Sequence, residues 1–332
     1  MASSPLLALP SVPGDLARVE DALRASVRAD DDFLTEIASH LIQAGGKRGR
    51  PAFAIGVAAS SQPTARPVSD DVIMGAVSVE LVHLGSLYHD DVMDDATTRR
   101  TVESVNARWG NLRAILAGDF LLARASEIAA SLGNEVAGLL ASTIGRLCEG
   151  QVLELQDTYN AGRSEARYLT SIEGKTASLY ATACRIGAIT GGLDRDRIEA
   201  ATEFGLRYGM AFQIVDDVLD VVATDEQLGK PAGHDLVEGV YTLPVLRTLA
   251  ADDERAGRLS GLLGRPLSIE EMHEARALVR EDGHVVSALA TAEAYVDRAV
   301  AALQALEPSE ATDALAGAAR HLLDSVPAIA GA

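Results

Sequence analysis

The sequence predicts an all-α, single-domain helical bundle around a central cavity, and three observations lead there. Helical periodicity recurs from about Leu16 to Val326, interrupted only by short polar or Gly/Pro breaks. Alanine and leucine are abundant, aromatics are few, and alternating apolar–polar runs are scarce. The pattern Asp-Asp-x-x-Asp occurs twice, at Asp90-Asp91-Val92-Met93-Asp94 and at Asp216-Asp217-Val218-Leu219-Asp220, each time ending an apolar run of helical character. No low-complexity linker divides the chain and no solenoid repeat appears. Residues 1–332 therefore read as one domain, with 1–14 expected to be flexible.

The elements follow in order. The N-terminus has no basic start, and Pro5 and Pro10 break its apolar stretch, so neither a secretory signal nor a transit peptide is expected. Helices then run to a basic, glycine-containing break at Gln43–Pro51, and a second break covers Ser61–Ser69. Ser69–Asp95 starts on a capping serine with two acids in its first turn and is apolar on most faces, the signature of a buried central helix. Ala96–Ser104 is a polar break carrying Arg99 and Arg100, and Ala161–Ser164 is another. Ile198–Val222 repeats the character of the first central helix. Ala223–Gly239 follows, with Gly229, Lys230, Gly233 and Asp235, and Gly264–Ser268 is the last break. Glycine-rich segments at a cavity mouth can close over a substrate.

Composition narrows the function. A formal net charge of −19 argues against nucleic acid, whose phosphates require a basic surface. Cys148 and Cys184 have neither metal-ligand spacing nor a partner framework, which suits a reducing compartment. No uninterrupted apolar stretch reaches the length of a membrane span. The expectation is a cytoplasmic protein.

The two triads carry the chemistry. Residues four apart on a helix lie one above the other, so Asp90 and Asp94 share a face, as do Asp216 and Asp220, with Asp91 and Asp217 beside them. Carboxylates so crowded repel one another unless a hard cation intervenes. Magnesium takes oxygen ligands, commonly one or two carboxylates plus substrate phosphates. Two facing triads therefore imply magnesium ions holding a diphosphate between two helices. Against the acidic background stand Lys47, Arg48 and Arg50 in GGKRGRP, Arg99-Arg100, Lys175 in EGKT, and Lys230 in GKP. His83 lies two helical turns before Asp90.

This ordered series resembles the trans-isoprenyl diphosphate synthases, the polyprenyl synthetase family, from about Gly45 to Pro244. GGKRGRP, the first acidic motif, Arg99-Arg100, SVNARWGN, LAGDFLLARA, GKTASL and FQIVDDVLD are similar to family segments in the family's order. The resemblance implies an isoprenoid-synthase fold and a head-to-tail condensation. An allylic diphosphate ionises, isopentenyl diphosphate attacks the cation, and the released diphosphate takes the proton. It implies that Asp90, Asp91, Asp94, Asp216, Asp217 and Asp220 hold Mg2+, three ions with substrate bound. Arg99, Lys175 and Lys230 would grip the allylic diphosphate, with Thr176 and Gln213 facing the cation. Gly46, Lys47, Arg50, His83 and Arg100 would form the metal-free isopentenyl diphosphate site.

Two positions depart from the family pattern. Thr101 stands where glycine often follows the arginine pair, and Val240 stands where a lysine usually lies near the allylic diphosphate. The second implies weaker diphosphate binding or a compensating cation elsewhere. On product length, Gly85, Ser86 and Val82 line the expected path of the growing chain, and no aromatic occurs from Val72 to Leu87. A product longer than geranylgeranyl diphosphate is expected unless Phe120, Leu121 or Leu153 supplies a floor. A geranylgeranyl synthase and a non-catalytic subunit of a heteromeric synthase are the alternatives. A terpene cyclase would not need the second diphosphate site. A homodimer with at most transient membrane contact is expected from the resemblance.

Overall fold

A computed structural model describes residues 4–64, 66–228, 232–281, 283–324 and 326. A 3-10 turn, Pro5–Ala8, leads to α1 (Val12–Ser26), α2 (Asp32–Gln43), α3 (Gly49–Ala59) and α4 (Asp70–Met93). A short antiparallel hairpin of β1 (Thr98–Arg99) and β2 (Val102–Glu103) precedes α5 (Val105–Trp109), α6 (Asn111–Ser131), α7 (Asn134–Gln156) and α8 (Glu165–Ile172). A π-helical turn, Glu173–Ala177, runs into α9 (Ser178–Thr190), followed by α10 (Arg195–Val222). Then come α11 (Asp225–Leu228), α12 (His234–Glu238), α13 (Leu243–Leu249), α14 (Glu254–Leu262), α15 (Ile269–Arg280), α16 (His284–Ala302) and α17 (Glu310–Asp324).

The two central helices form as their sequences dictate. Ser69 caps α4 by accepting the Val72 amide at 3.4 Å, with Asp70 and Asp71 in the first turn. Asp194 caps α10 through the Arg197 amide at 3.0 Å. α4 packs against α1, α3, α6 and α9, and α10 packs against α9 and α16, so α9 lies between the two. By length and composition α4 could cross a membrane, contrary to the sequence reading, but 72% of its most apolar window is buried inside the fold. It is the core helix of the bundle.

Several sequence expectations shift. Residues 5–14 are packed against the bundle: Leu6 is buried and lies against Gly56, where a Cβ would come within 2.8 Å of Leu6 Cδ2. The break at Gln43–Pro51 is shorter than expected, because α3 begins at Gly49 and takes Pro51 into its first turn, where a missing N–H goes unnoticed. The break after α4 folds as a hairpin, the one pair of strands among the described residues.

Candidate active site

The C-terminal ends of α4, α7 and α10 converge with the π-helical turn around a cavity of about 340 Å³. α4 brings Asp94 to it, α7 brings Gln151 and Glu154, the turn brings Lys175 and Thr176, and α10 brings Gln213 and Asp217. The two acidic motifs thus share one cavity. Asp235, Glu238 and Val240 close its far side. The π turn sits deep because two glycines allow it: a Cβ on Gly150 would fall 2.4 Å from the Lys175 nitrogen, and one on Gly174 would fall 2.8 Å from the Arg146 carbonyl. Single π turns of this kind concentrate at functional sites.

A hydrogen-bonded chain fixes the side chains. Thr176 donates to Gln213 Oε1 at 2.8 Å, and Gln213 Nε2 donates to Asp217 Oδ1 at 2.8 Å. Tyr168 donates to the other oxygen of Asp217. Burial raises the Asp217 carboxyl despite those two donors, and the neighbouring Asp216 adds to the rise. Lys175 pairs with Glu154 at 2.5 Å. Burial pulls the lysine's pKa down, but Glu154, Asp90 and Asp94 outweigh it and raise it above its ordinary value. Asp94 is pushed up to about 6 by desolvation, then by Glu238 and Asp90. Burial likewise raises Asp90, although Lys175 and Arg99 oppose it.

The remaining aspartates are placed differently from a simple row of ligands. Asp91 is fully buried and takes the Arg99 guanidinium at 2.6 Å, while its second oxygen has no partner among the described residues. Asp220 accepts the backbone amides of His234 and Asp235 at 3.3 and 3.2 Å, tying α12 to the end of α10. Asp216 is exposed. Arg99 is therefore joined to Asp91, and Asp220 to the following loop. Lys230 lies outside the described residues.

The donor set fits magnesium. It consists of carboxylate oxygens, with burial and mutual repulsion raising Asp90 and Asp94, and one buried oxygen of Asp91 left unpartnered. Neither cysteine takes part in it. Among the described residues no three acidic, histidine or cysteine side chains close on one point. Magnesium commonly takes one or two carboxylates, with phosphate oxygens and water completing its shell.

A separate cluster of basic side chains gathers around His83. Gly46 lets the Arg100 guanidinium approach, since a Cβ there would sit 2.8 Å from Arg100 Nη1. Arg100 donates to the Leu41 carbonyl at 3.2 Å and to that of Gly45. Arg48, at the start of α3, pairs with buried Glu80 at 2.9 Å and with Glu20. Arg50 lies 4.6 Å over the Tyr180 ring, and its Nε has no partner among the described residues. His83 is held neutral, its pKa well below 6.5, by burial and then by Arg50, Arg100, Arg99 and Arg48. The structure thus gathers Arg50, His83 and Arg100, with Lys47 exposed nearby in sequence.

The chain-length positions are corrected in part. Gly85 is a contact between α4 and α6: a Cβ would already lie 3.1 Å from the Gly118 carbonyl and 3.2 Å from Leu122 Cγ. Val82 and Leu121 are buried in the core, whereas Ser86, Phe120 and Leu153 are half-buried. Sequence reading also passed over Glu154, Tyr168 and Arg163. Glu154 and Arg163 sit in ordinary-looking helical or loop context, and only the fold turns them toward the cavity.

Comparison with known proteins gives a consistent picture. The model of the polyprenyl synthetase family matches residues 31–279. The chain is 38% identical over 309 residues to heptaprenyl diphosphate synthase component 2 of Geobacillus stearothermophilus, covering 93% of this chain and 95% of that one. It is 39% identical to nonaprenyl diphosphate synthase of Mycobacterium tuberculosis, over 81% of this chain and 80% of the relative. The fold superposes on polyprenyl synthase from Caulobacter crescentus, solved with calcium and isoprenyl diphosphate, with a TM-score of 0.89 at 33% identity, covering 97% and 98% of the two chains.

Proposed function

The chain belongs to the polyprenyl synthetase family, and from that premise we propose that it condenses an allylic diphosphate with isopentenyl diphosphate, head to tail. The product is an all-trans polyprenyl diphosphate longer than geranylgeranyl. The observation that carries the reading is the pairing of two unlike groups of charge: an acidic cavity shared by both aspartate motifs and a basic cluster around His83. Bound magnesium would supply Lewis-acid stabilisation to a departing diphosphate. Asp90, Asp94, Asp216 and Asp217 would hold it, with Asp91 contributing through its unpartnered oxygen.

The protein's own groups do the rest. Lys175, kept protonated by its acidic neighbours, offers a fixed cation to the leaving diphosphate. Gln213 is oriented by Asp217, and its oxygen, which accepts from Thr176, would face the developing positive charge. Arg50, Arg100 and neutral His83 hold the second diphosphate without metal, so that it is not activated as a leaving group.

Product length rests on the absence of an aromatic along α4 from Val72 to Leu87 and on the long-chain products named for the relatives. A partner chain is supported by apolar side chains left bare on α6 and α7, namely Leu112, Ile115, Leu116, Val152 and Leu155. We assign that face to a second copy of this chain in a cytoplasmic homodimer. The deciding assay incubates the purified chain with radiolabelled isopentenyl diphosphate and each allylic primer, then sizes the dephosphorylated alcohols. Products beyond twenty carbons are expected. A twenty-carbon limit would make it a geranylgeranyl synthase, and no turnover by the chain alone would make it a subunit of a heteromer.

A further inference from the structure

We propose that Arg163 is a diphosphate-binding residue, reaching the metal-side cavity from the loop between α7 and α8; the inference rests on the reaction assigned above. Arg163 is only 6% exposed, yet it lines the cavity beside Val240 and Thr242. Its Nη1 donates to the Tyr241 carbonyl at 3.3 Å, and its guanidinium lies 5.4 Å over the Tyr168 ring. Asp157 stands 3.5 Å from Nε, but the same carboxylate oxygen accepts a closer bond from Arg167 at 2.8 Å. One negative charge therefore serves two arginines. Nη2 has no hydrogen-bond partner among the described residues.

A buried guanidinium nitrogen without a partner is costly, and such groups are retained where a ligand completes them. The cavity that Arg163 lines carries six carboxylates, with Lys175 the other cation among its lining residues. An anion is what Nη2 lacks. A phosphate oxygen of the leaving diphosphate would supply one, with Lys175 as the second cation toward the same group. The position also accounts for Val240. The side chain at 240 sits on the same wall and carries no charge, so the arginine takes over the cationic duty from a different segment. Tyr168 and the Tyr241 carbonyl hold the guanidinium plane in place, as planar recognition of phosphate requires.

The test uses the full chain with Mg2+. For the wild type, Arg163→Gln, Arg163→Lys and Arg163→Gln/Val240→Lys, one measures calorimetric binding of inorganic diphosphate, KM for both substrates, and thermal midpoint. Arg163→Gln should weaken inorganic diphosphate and allylic substrate at least ten-fold while KM for isopentenyl diphosphate stays within two-fold. Arg163→Lys should recover part of the loss. Lysine at 240 should restore allylic affinity in the Arg163→Gln background, which a purely structural arginine would not permit. Unchanged diphosphate binding in Arg163→Gln overturns the proposal, as does a loss that Val240→Lys leaves untouched. A wild type that binds inorganic diphosphate but never extends a primer overturns the assigned reaction instead, leaving the binding role of Arg163 to be read from calorimetry.

Discussion

The acidic cavity and the basic pocket both suit a diphosphate, yet they balance charge in opposite ways. The cavity has more carboxylates than cations, and burial raises Asp90, Asp94 and Asp217. An anion cannot enter it unless cations from solution come too. The pocket concentrates Arg48, Arg50 and Arg100 around a single buried acid, Glu80, and keeps His83 neutral. It can take an anion directly. The difference teaches how one protein can hold two copies of the same leaving group and activate only one: polarity of the wall decides where the metal goes.

The largest effect should come from cancelling the cavity's share of this arrangement. Chelating divalent ions, or replacing Asp94 with alanine, should lower turnover by roughly a thousand-fold, the scale of several kcal/mol that a metal clamp contributes. Calorimetric binding of isopentenyl diphosphate should survive chelation. If chelation removes that binding as well, the pocket is not metal-independent and the comparison fails.

Arg100→Gln is the mirror experiment. A charge-assisted hydrogen bond to phosphate contributes about 1.5–3 kcal/mol, so KM for isopentenyl diphosphate should rise about 10- to 100-fold. Inhibition by inorganic diphosphate with Mg2+, which reads the cavity, should hardly move. Equal losses at both sites would show that the hairpin carrying Arg100 shapes the cavity too.

These contrasts were partly legible in the chain. The triads, the capping of α4 by Ser69 and the basic GGKRGRP segment could be read because they are local: cap, period and charge lie within a few residues of one another. What could not be read is what the fold adds at a distance. Tyr168 holds Asp217 from 49 positions away, Glu154 pairs with Lys175 across 21, and nothing in either local sequence marks it. Gly85 looked like open channel because its smallness was read as room. The structure shows that the room is filled by α6, with Gly118 and Leu122 packed against it. Asp91 looked equivalent to Asp90 by spacing, but one residue is a rotation of about 100° on a helix, and Asp91 is fully buried with one oxygen taken by Arg99.

His83 tests the pocket through acid stability. Its folded pKa lies well below the ordinary 6.5, so the unfolded chain binds the proton first as pH falls. The stability from neutral burial is full above about pH 6.5 and drains as acid approaches the folded value, by up to about 1.4 kcal/mol per pH unit. His83→Gln carries no such proton. Denaturant unfolding at pH 7 and pH 5 should show a smaller acid loss in the variant than in the wild type. Equal losses would mean that burial and the arginines around His83 do not keep it neutral.

The smallest effect belongs to the turn that delivers Arg100. Arg100 and Thr101 both adopt left-handed backbone, with φ of 52° and 66°, the two central positions of a tight hairpin that favours glycine at the second. A β-branched residue is strained there, by about 1–2 kcal/mol, while glycine costs about 0.5–1 kcal/mol in chain entropy. Thr101→Gly should therefore stabilise the protein by about 0.5–1 kcal/mol, a rise in Tm of only about 1–2 °C at this chain length. The same change frees the hairpin, so the threonine's strain has a use if it stiffens the approach of Arg100 to Gly45 and Gly46. In that case KM for isopentenyl diphosphate should rise two- to three-fold as Tm rises, the pocket losing preorganisation while the cavity's affinity for inorganic diphosphate stays fixed. A Tm gain with no change in KM would separate the turn from the pocket and leave Thr101 a tolerated strain with no role in binding.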